Sequence, residues 1–90
     1  MSVKVRFSPL LRQLTHGQDS VEVTGNNVGE CIDSLEHQFP GIKKLLCDEQ
    51  GQLLSAWDIY VNSYSSYPDG LAKTVKDGDE LAIVFLIGGG

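Results

Sequence analysis

Val3, Val5 and Phe7 alternate with Lys4 and Arg6 in the stretch VKVRF. Alternation of period two predicts a strand over residues 3–7, with the apolar set facing a core and the cations facing water. Pro9 ends that strand. SVEVT (residues 20–24) alternates again, with Val21 and Val23 on one face, and the two segments are predicted to pair antiparallel. The connection LLRQLTHGQ is too long for a tight hairpin; it is predicted to carry a helical turn closed by Gly17. The period then changes. Val28, Cys31, Ile32, Leu35 and Phe39 fall at helical spacing and form one apolar stripe. Asn27 followed by Glu30 has the spacing of a capping box at the start of this helix, and Pro40-Gly41 stops it.

Ile42, Leu45 and Leu46 predict a short second helical turn, followed by the polar turn CDEQGQ. WDIYVN (residues 57–62) is rich in aromatic and β-branched residues and predicts a strand. SYSSYPDG (residues 63–70) is read as a turn in which Pro68-Asp69-Gly70 makes a tight reversal. In KDGDE, Gly78 is free to take positive φ. The last strand is LAIVFLI (residues 81–87).

The order is strand, strand, helix, strand, a possible short strand, strand. With 90 residues, one core and one packed helix are all the chain can build. A helix crossing between strands of one sheet lets strands on its two sides run parallel. This defines an α+β architecture with the element order of a β-grasp, or ubiquitin-like, fold: a mixed sheet of four to five strands with one main helix on one face. Residues 1–87 form a single domain and residues 88–90 a flexible glycine tail.

That architecture leaves the last strand with a surplus of apolar residues. A continuous apolar run normally belongs to a strand buried on both faces, yet one helix covers one face only. With Leu81 and Ile83 toward the helix, Ala82 and Val84 lie on the open face, and Phe85, Leu86 and Ile87 lead off the sheet. These five residues are read as a docking surface for a partner. Gly88, Gly89 and Gly90 follow directly. Lacking a Cβ, they let the backbone enter a channel too narrow for any other residue, and three extended residues reach about 10 Å. The final carboxyl is unhindered but needs activation, as an acyl phosphate or adenylate, before a nucleophile can attack it. The chain has no phosphate loop and no nucleophile–base pair, so another protein must supply that chemistry.

Charge and residue inventory narrow the classes. Twelve acids against seven bases give a net charge of −5. This argues against nucleic acid and anionic membranes and favours a basic groove on a protein partner. No apolar run approaches the roughly 18 residues of a membrane span, and a soluble cytoplasmic protein is expected. Cys31 and Cys47 are separated by fifteen residues, without a Cys-x-x-Cys or a nearby histidine pair, so metal and dithiol redox motifs are absent. Two thiols are favoured over one disulfide, with Cys31 in the core and Cys47 half exposed. His16 and His37 have no partner at ligand spacing and are read as surface residues; no metal site is expected. Asp33, Glu36, Asp48 and Glu49 are read as solvated, Tyr60, Tyr64 and Tyr67 as sheet and loop packing, and Trp57 as the anchor of its strand. Asp77, Asp79 and Glu80 are read as a soluble turn cluster able to meet a basic partner.

NNVGECIDSLE, DIYVN, DGLAKTVKDGDELAIV and the terminal glycine pair together resemble the MoaD/ThiS family of sulfur-carrier proteins over nearly the whole chain. The middle segment FPGIKKLLCDEQGQLLSAWDIYVN is most similar to its CysO-type branch, which serves cysteine synthesis. The resemblance implies that Gly90 is adenylated by a MoeB/ThiF-like activating enzyme and converted to a thiocarboxylate that donates sulfur, with Gly88 and Gly89 threading into the partner. It implies a protein co-substrate rather than an enzyme, ATP used by the activating partner with no cofactor bound by the chain itself, and a monomer when free. The acceptor is a cysteine synthase-like enzyme or the large subunit of molybdopterin synthase, the former slightly favoured. Relatives often carry proline where Phe85 or Leu86 stands, and alanine or threonine at Gly88. The alternatives from other classes are a ubiquitin-like modifier that forms isopeptide bonds to lysines, and a β-grasp interaction module with an inert tail.

Overall fold

In the computed structural model, residues 2–86 are described. Five strands form one sheet in the order β2-β1-β5-β3-β4. Strand β1 is Val3–Arg6 and β2 is Ser20–Val23; they pair antiparallel, with Val3 opposite Val23 and Val5 opposite Val21. Helix α1 (Val28–Gln38) and the short helix α2 (Ile42–Leu46) follow, then β3 (Trp57–Val61), the two-residue β4 (Tyr64–Ser65) and β5 (Glu80–Phe85). Strand β5 lies at the centre, parallel to β1 and antiparallel to β3. The parallel pair is the one the helical crossover allows, and this is the mixed sheet and single main helix of the β-grasp order.

The two periodicities meet in one core. Val3, Val5, Val23, Ile59, Val61, Leu81 and Ile83 point from the sheet to the Val28, Cys31, Ile32 and Leu35 stripe of α1, and all are buried. Each such aliphatic side chain contributes about 1.5–3 kcal/mol by leaving water. Phe39, the residue that caps the end of α1, is buried too and meets Phe7 edge-on, with ring centroids 5.7 Å apart. Phe7 lies just beyond β1 and packs on the core from its margin.

Local chemistry sets the ends of the elements. The Asn27 side chain accepts from the Glu30 amide at 2.8 Å, and the Glu30 carboxylate accepts from the amide of Asn26, one residue before the cap. The box is thus closed one residue further out than its usual form. Gly25, just ahead, is forced by space: a Cβ there would stand 2.9 Å from the backbone nitrogen of Cys31. Between β1 and β2 the expected helical turn is a 3-10 turn at Pro9–Leu11, capped by Ser8. The segment ends in Thr15, whose buried hydroxyl donates to Gln18 and Arg12 carbonyls, and in the left-handed Gly17. Gly78 takes φ +88°, as the KDGDE turn requires.

Several expectations need correction. The reversal after β3 is not at Pro68-Asp69-Gly70. Asn62 and Ser63 both have positive φ (50° and 76°), the requirement of a tight two-residue hairpin, and Tyr64–Ser65 is then free to pair with Val61 and Tyr60. Gly70 instead opens a second 3-10 turn, Gly70–Ala72. Cys47 is buried rather than half exposed, because it bridges to Leu53 across the turn after α2. Both cysteines are free thiols. Tyr64 and Tyr67 are largely exposed and pack little. Three of the acids read as solvated have definite partners. Glu36 accepts from the amides of Gly41 and Lys43 at 3.0 and 2.9 Å, capping the start of α2; Asp33 pairs with Lys43; Asp48 accepts from the amides of Gln50 and Gln52. The Gly41 and Lys43 amides hold the Glu36 carboxyl below its ordinary value.

Candidate functional site

Two faces of β5 divide the residues read as a docking surface. Leu81 and Ile83 are buried toward α1, while Ala82 and Val84 are half-buried on the open face. Phe85 belongs to the helix side by the same alternation, packs against the core and meets the Trp57 ring at 4.9 Å and 60°. It is therefore not part of one surface with Ala82 and Val84, because its apolar ring finds cover beside Trp57. Strand β5 ends at Phe85 rather than at residue 87. Leu86 lies just past it, 55% exposed, and its amide still donates to the Ala56 carbonyl at 2.7 Å. Ile87, Gly88, Gly89 and Gly90 lie outside the described residues.

Register assembles the open face. Ala82 stands between Arg6 on β1 and Tyr60 on β3, and Tyr60 in turn faces Ser65 on β4. Val84 faces Asp58. Arg6 and Glu80 form an ion pair on this face, and a shallow depression is lined by Arg6, Tyr60, Ser63, Glu80, Ala82 and Val84. The apolar stripe expected from LAIVFLI is thus narrowed to two small side chains framed by charges and an aromatic ring. Sequence reading missed Arg6, Asp58 and Tyr60 as its companions, although strict alternation in VKVRF and WDIYV marks all three as outward-facing. Such a surface suits a partner that presents both apolar and ionic groups.

The start of β5 is tied to the β3–β4 hairpin. Asn62 donates its side-chain amide to Asp79 at 2.9 Å and accepts from the Glu80 amide at 2.9 Å. Asp79 also accepts from the Lys76 amide, and these bonds, Asn62 first, hold its carboxyl below the usual range. Asp77 accepts from the amide of Ser2. The acidic turn therefore spends much of its charge inside the fold.

Nothing near the sheet face has the chemistry of a catalytic thiol. Burial pushes the Cys31 thiol up to about 11, assisted by Glu30, and raises that of Cys47 as well. His16 stacks near Phe39, with centroids 5.7 Å apart, and His37 sits in the last turn of α1. Among the described residues no group of three or more His, Cys, Asp or Glu is placed to hold a metal ion. Among them, too, no helix is long and apolar enough to cross a membrane.

A mixed five-stranded sheet with β5 at its centre and one main helix on one face defines a ubiquitin-like, β-grasp protein. Residues 5–90 match the ThiS family model, and the chain belongs to the ThiS family. It is 37% identical over 93 residues to the sulfur carrier protein CysO of Mycobacterium tuberculosis, covering all of both chains. Its fold superposes on CysO in the crystal structure of the Amycolatopsis orientalis BexX/CysO complex with a TM-score of 0.90 and 39% identity, over 98% of this chain and 99% of that one. Against the crystal structure of Mycobacterium tuberculosis CysO the TM-score is 0.87 at 35% identity, over 94% and 99% of the two chains.

Proposed function

We infer that this chain is a sulfur carrier protein acting in cysteine biosynthesis. The observation that carries this reading is the full-length, 37% identity to CysO sulfur carriers, on a β-grasp fold in which β5 is the central strand of the sheet. The chain is a co-substrate. The Gly90 carboxylate attacks the α-phosphorus of ATP on a MoeB/ThiF-like enzyme, releasing pyrophosphate and forming an acyl adenylate. A sulfide equivalent then attacks the acyl carbon and AMP leaves, giving the thiocarboxylate. This end group passes its sulfur to a cysteine precursor on a synthase. Gly88 and Gly89 enter the partner's channel, where a Cβ would collide. Ala82 and Val84, with Tyr60 and Arg6 beside them, meet the partner's surface, and Phe85 and Leu86 hold the root of the tail. The A. orientalis relative crystallised in complex with BexX, which supports a protein partner for this chain as well.

The test is intact-mass spectrometry after incubation with a MoeB/ThiF-like enzyme, ATP and a sulfide source. The expected product is heavier by the exchange of one oxygen for sulfur, and deletion of Gly89-Gly90 abolishes it. An unchanged mass overturns the proposal, and lysine-linked conjugates in its place identify a modifier instead.

A further inference from the structure

Beyond the open face, on the β4 side of Tyr60, lies a larger groove of about 700 Å3. Tyr60 lines both concavities, so the two surfaces are continuous. The groove collects three of the few large apolar side chains that the described residues expose: Leu54 (36%), Tyr67 (82%) and Leu86 (55%). Its charged lining is Asp58 and Asp69; among the described residues no lysine, arginine or histidine borders it. The Asp58 carboxylate is fixed in place, accepting from the Ser65 hydroxyl at 2.6 Å and from the Ile59 amide at 2.7 Å. Strand β4 stands at the edge of the sheet and, among the described residues, pairs only with β3.

We propose that this groove receives an extended segment of the enzyme that adenylates the tail, with an aliphatic side chain against Leu54 and Leu86 and a lysine or arginine toward Asp58 and Asp69. The assignment rests on the sulfur-carrier reading and adds the place and chemistry of recognition to it. Leu86 is a wall of the groove, and Gly90, the residue read as adenylated, stands four positions further along the chain. Four extended residues span about 13 Å. An enzyme that holds the Gly90 carboxyl must therefore stand against this end of the sheet. An enzyme site that gathers ATP phosphates and a carboxylate is electropositive, which complements both the groove and the net charge of −5. Unlike the Arg6–Glu80 ion pair of the open face, this patch leaves its negative charge unneutralised by any bordering cation.

The experiment is ATP–pyrophosphate exchange by a MoeB/ThiF-like enzyme from the same genome, with the full-length chain as variable substrate. Leu54→Glu and Asp69→Lys change exposed side chains, and their thermal transitions should match that of the unaltered chain. Each is expected to raise KM about tenfold with kcat unchanged, and Asp69→Lys should also flatten the dependence of KM on salt. Glu22→Lys, the same charge change on the far strand β2, should leave KM unaltered. The groove is overturned if Leu54→Glu and Asp69→Lys stay within twofold of the original KM, or if Glu22→Lys raises it equally, since net charge alone then accounts for the effect. Failure of the unaltered chain to be adenylated, by an enzyme that adenylates a CysO relative, overturns the sulfur-carrier reading itself.

Discussion

Leu86 donates its backbone N–H to the carbonyl of Ala56 at 2.7 Å, one residue past the point where Phe85 pairs with Trp57. The end of β5 is thus fixed twice, by a ladder-like hydrogen bond at Leu86 and by the Trp57–Phe85 ring contact. Such a brace orders Phe85 and Leu86 before any binding event, which lowers the entropy cost of a contact made there.

Trp57 is 8% exposed and is the single tryptophan of the chain. Trp57→Ala is expected to cost about 3 kcal/mol, the usual loss for a large aromatic core residue, and Trp57→Phe about 1 kcal/mol because the contact to Phe85 survives in part. Urea unfolding followed by circular dichroism measures both. Phe85→Ala should in addition shift the tryptophan emission of the native state to longer wavelength. An unshifted spectrum would mean that the two rings do not shield each other.

Gly25→Ala is a test of close approach rather than of backbone freedom. The new Cβ would lie 2.9 Å from the Cys31 nitrogen and 3.0 Å from its Sγ. The nearest atom belongs to the helix backbone, so no rotamer change relieves the clash. A loss of about 1–3 kcal/mol is expected, read as a lowered urea midpoint at unchanged slope. A variant as stable as the parent would show that the entry to α1 can shift freely.

The contrast between α1 and β5 shows what sequence can carry. Five apolar residues at helical spacing, with Asn27 and Glu30 ahead of them and Pro40-Gly41 behind, leave one solution, and α1 forms within these limits. The run LAIVFLI has no polar member to mark its faces. Phe85 could be assigned only once Trp57 stood opposite it. The same holds for the hairpin. Pro68-Asp69-Gly70 is the louder turn signal, but the two-residue turn at Asn62-Ser63 wins because Asn62 also bonds Asp79 and Glu80 across the sheet. Cys47 was misjudged because its cover, Leu53, comes from beyond a polar turn. The open face was legible as a pattern; the groove beside it was not, since Leu54, Asp58, Tyr67 and Leu86 come from separate segments.

Cys31 and Cys47 are both buried, with thiol pKa values raised by that burial. Alkylation requires the thiolate and access to it. In the native protein at about pH 8, near the ordinary thiol pKa, iodoacetamide should leave both unmodified over a time in which the urea-unfolded chain reacts fully. Mass spectrometry counts the adducts. Rapid native labelling of Cys47 would place it at the surface after all.

Asp79 links the beginning of β5 to the hairpin through Asn62 and to its own turn through the Lys76 amide. These bonds favour the ionised carboxyl and depress its folded pKa. A depressed folded value means that the unfolded chain takes up the proton first. The stabilisation is therefore complete above the ordinary aspartate pKa of about 4 and is lost as pH falls through the lower folded value. The group is largely solvent-screened, so its removal should be modest. Asp79→Ala is expected to be less stable than the parent by about 1 kcal/mol at neutral pH. That difference should shrink as the pH drops below about 4, toward the low folded pKa. Urea titrations of both proteins across this range measure the gap directly. A gap that stays constant with pH would assign the effect to lost packing and not to the carboxylate's bonds with Asn62 and Lys76.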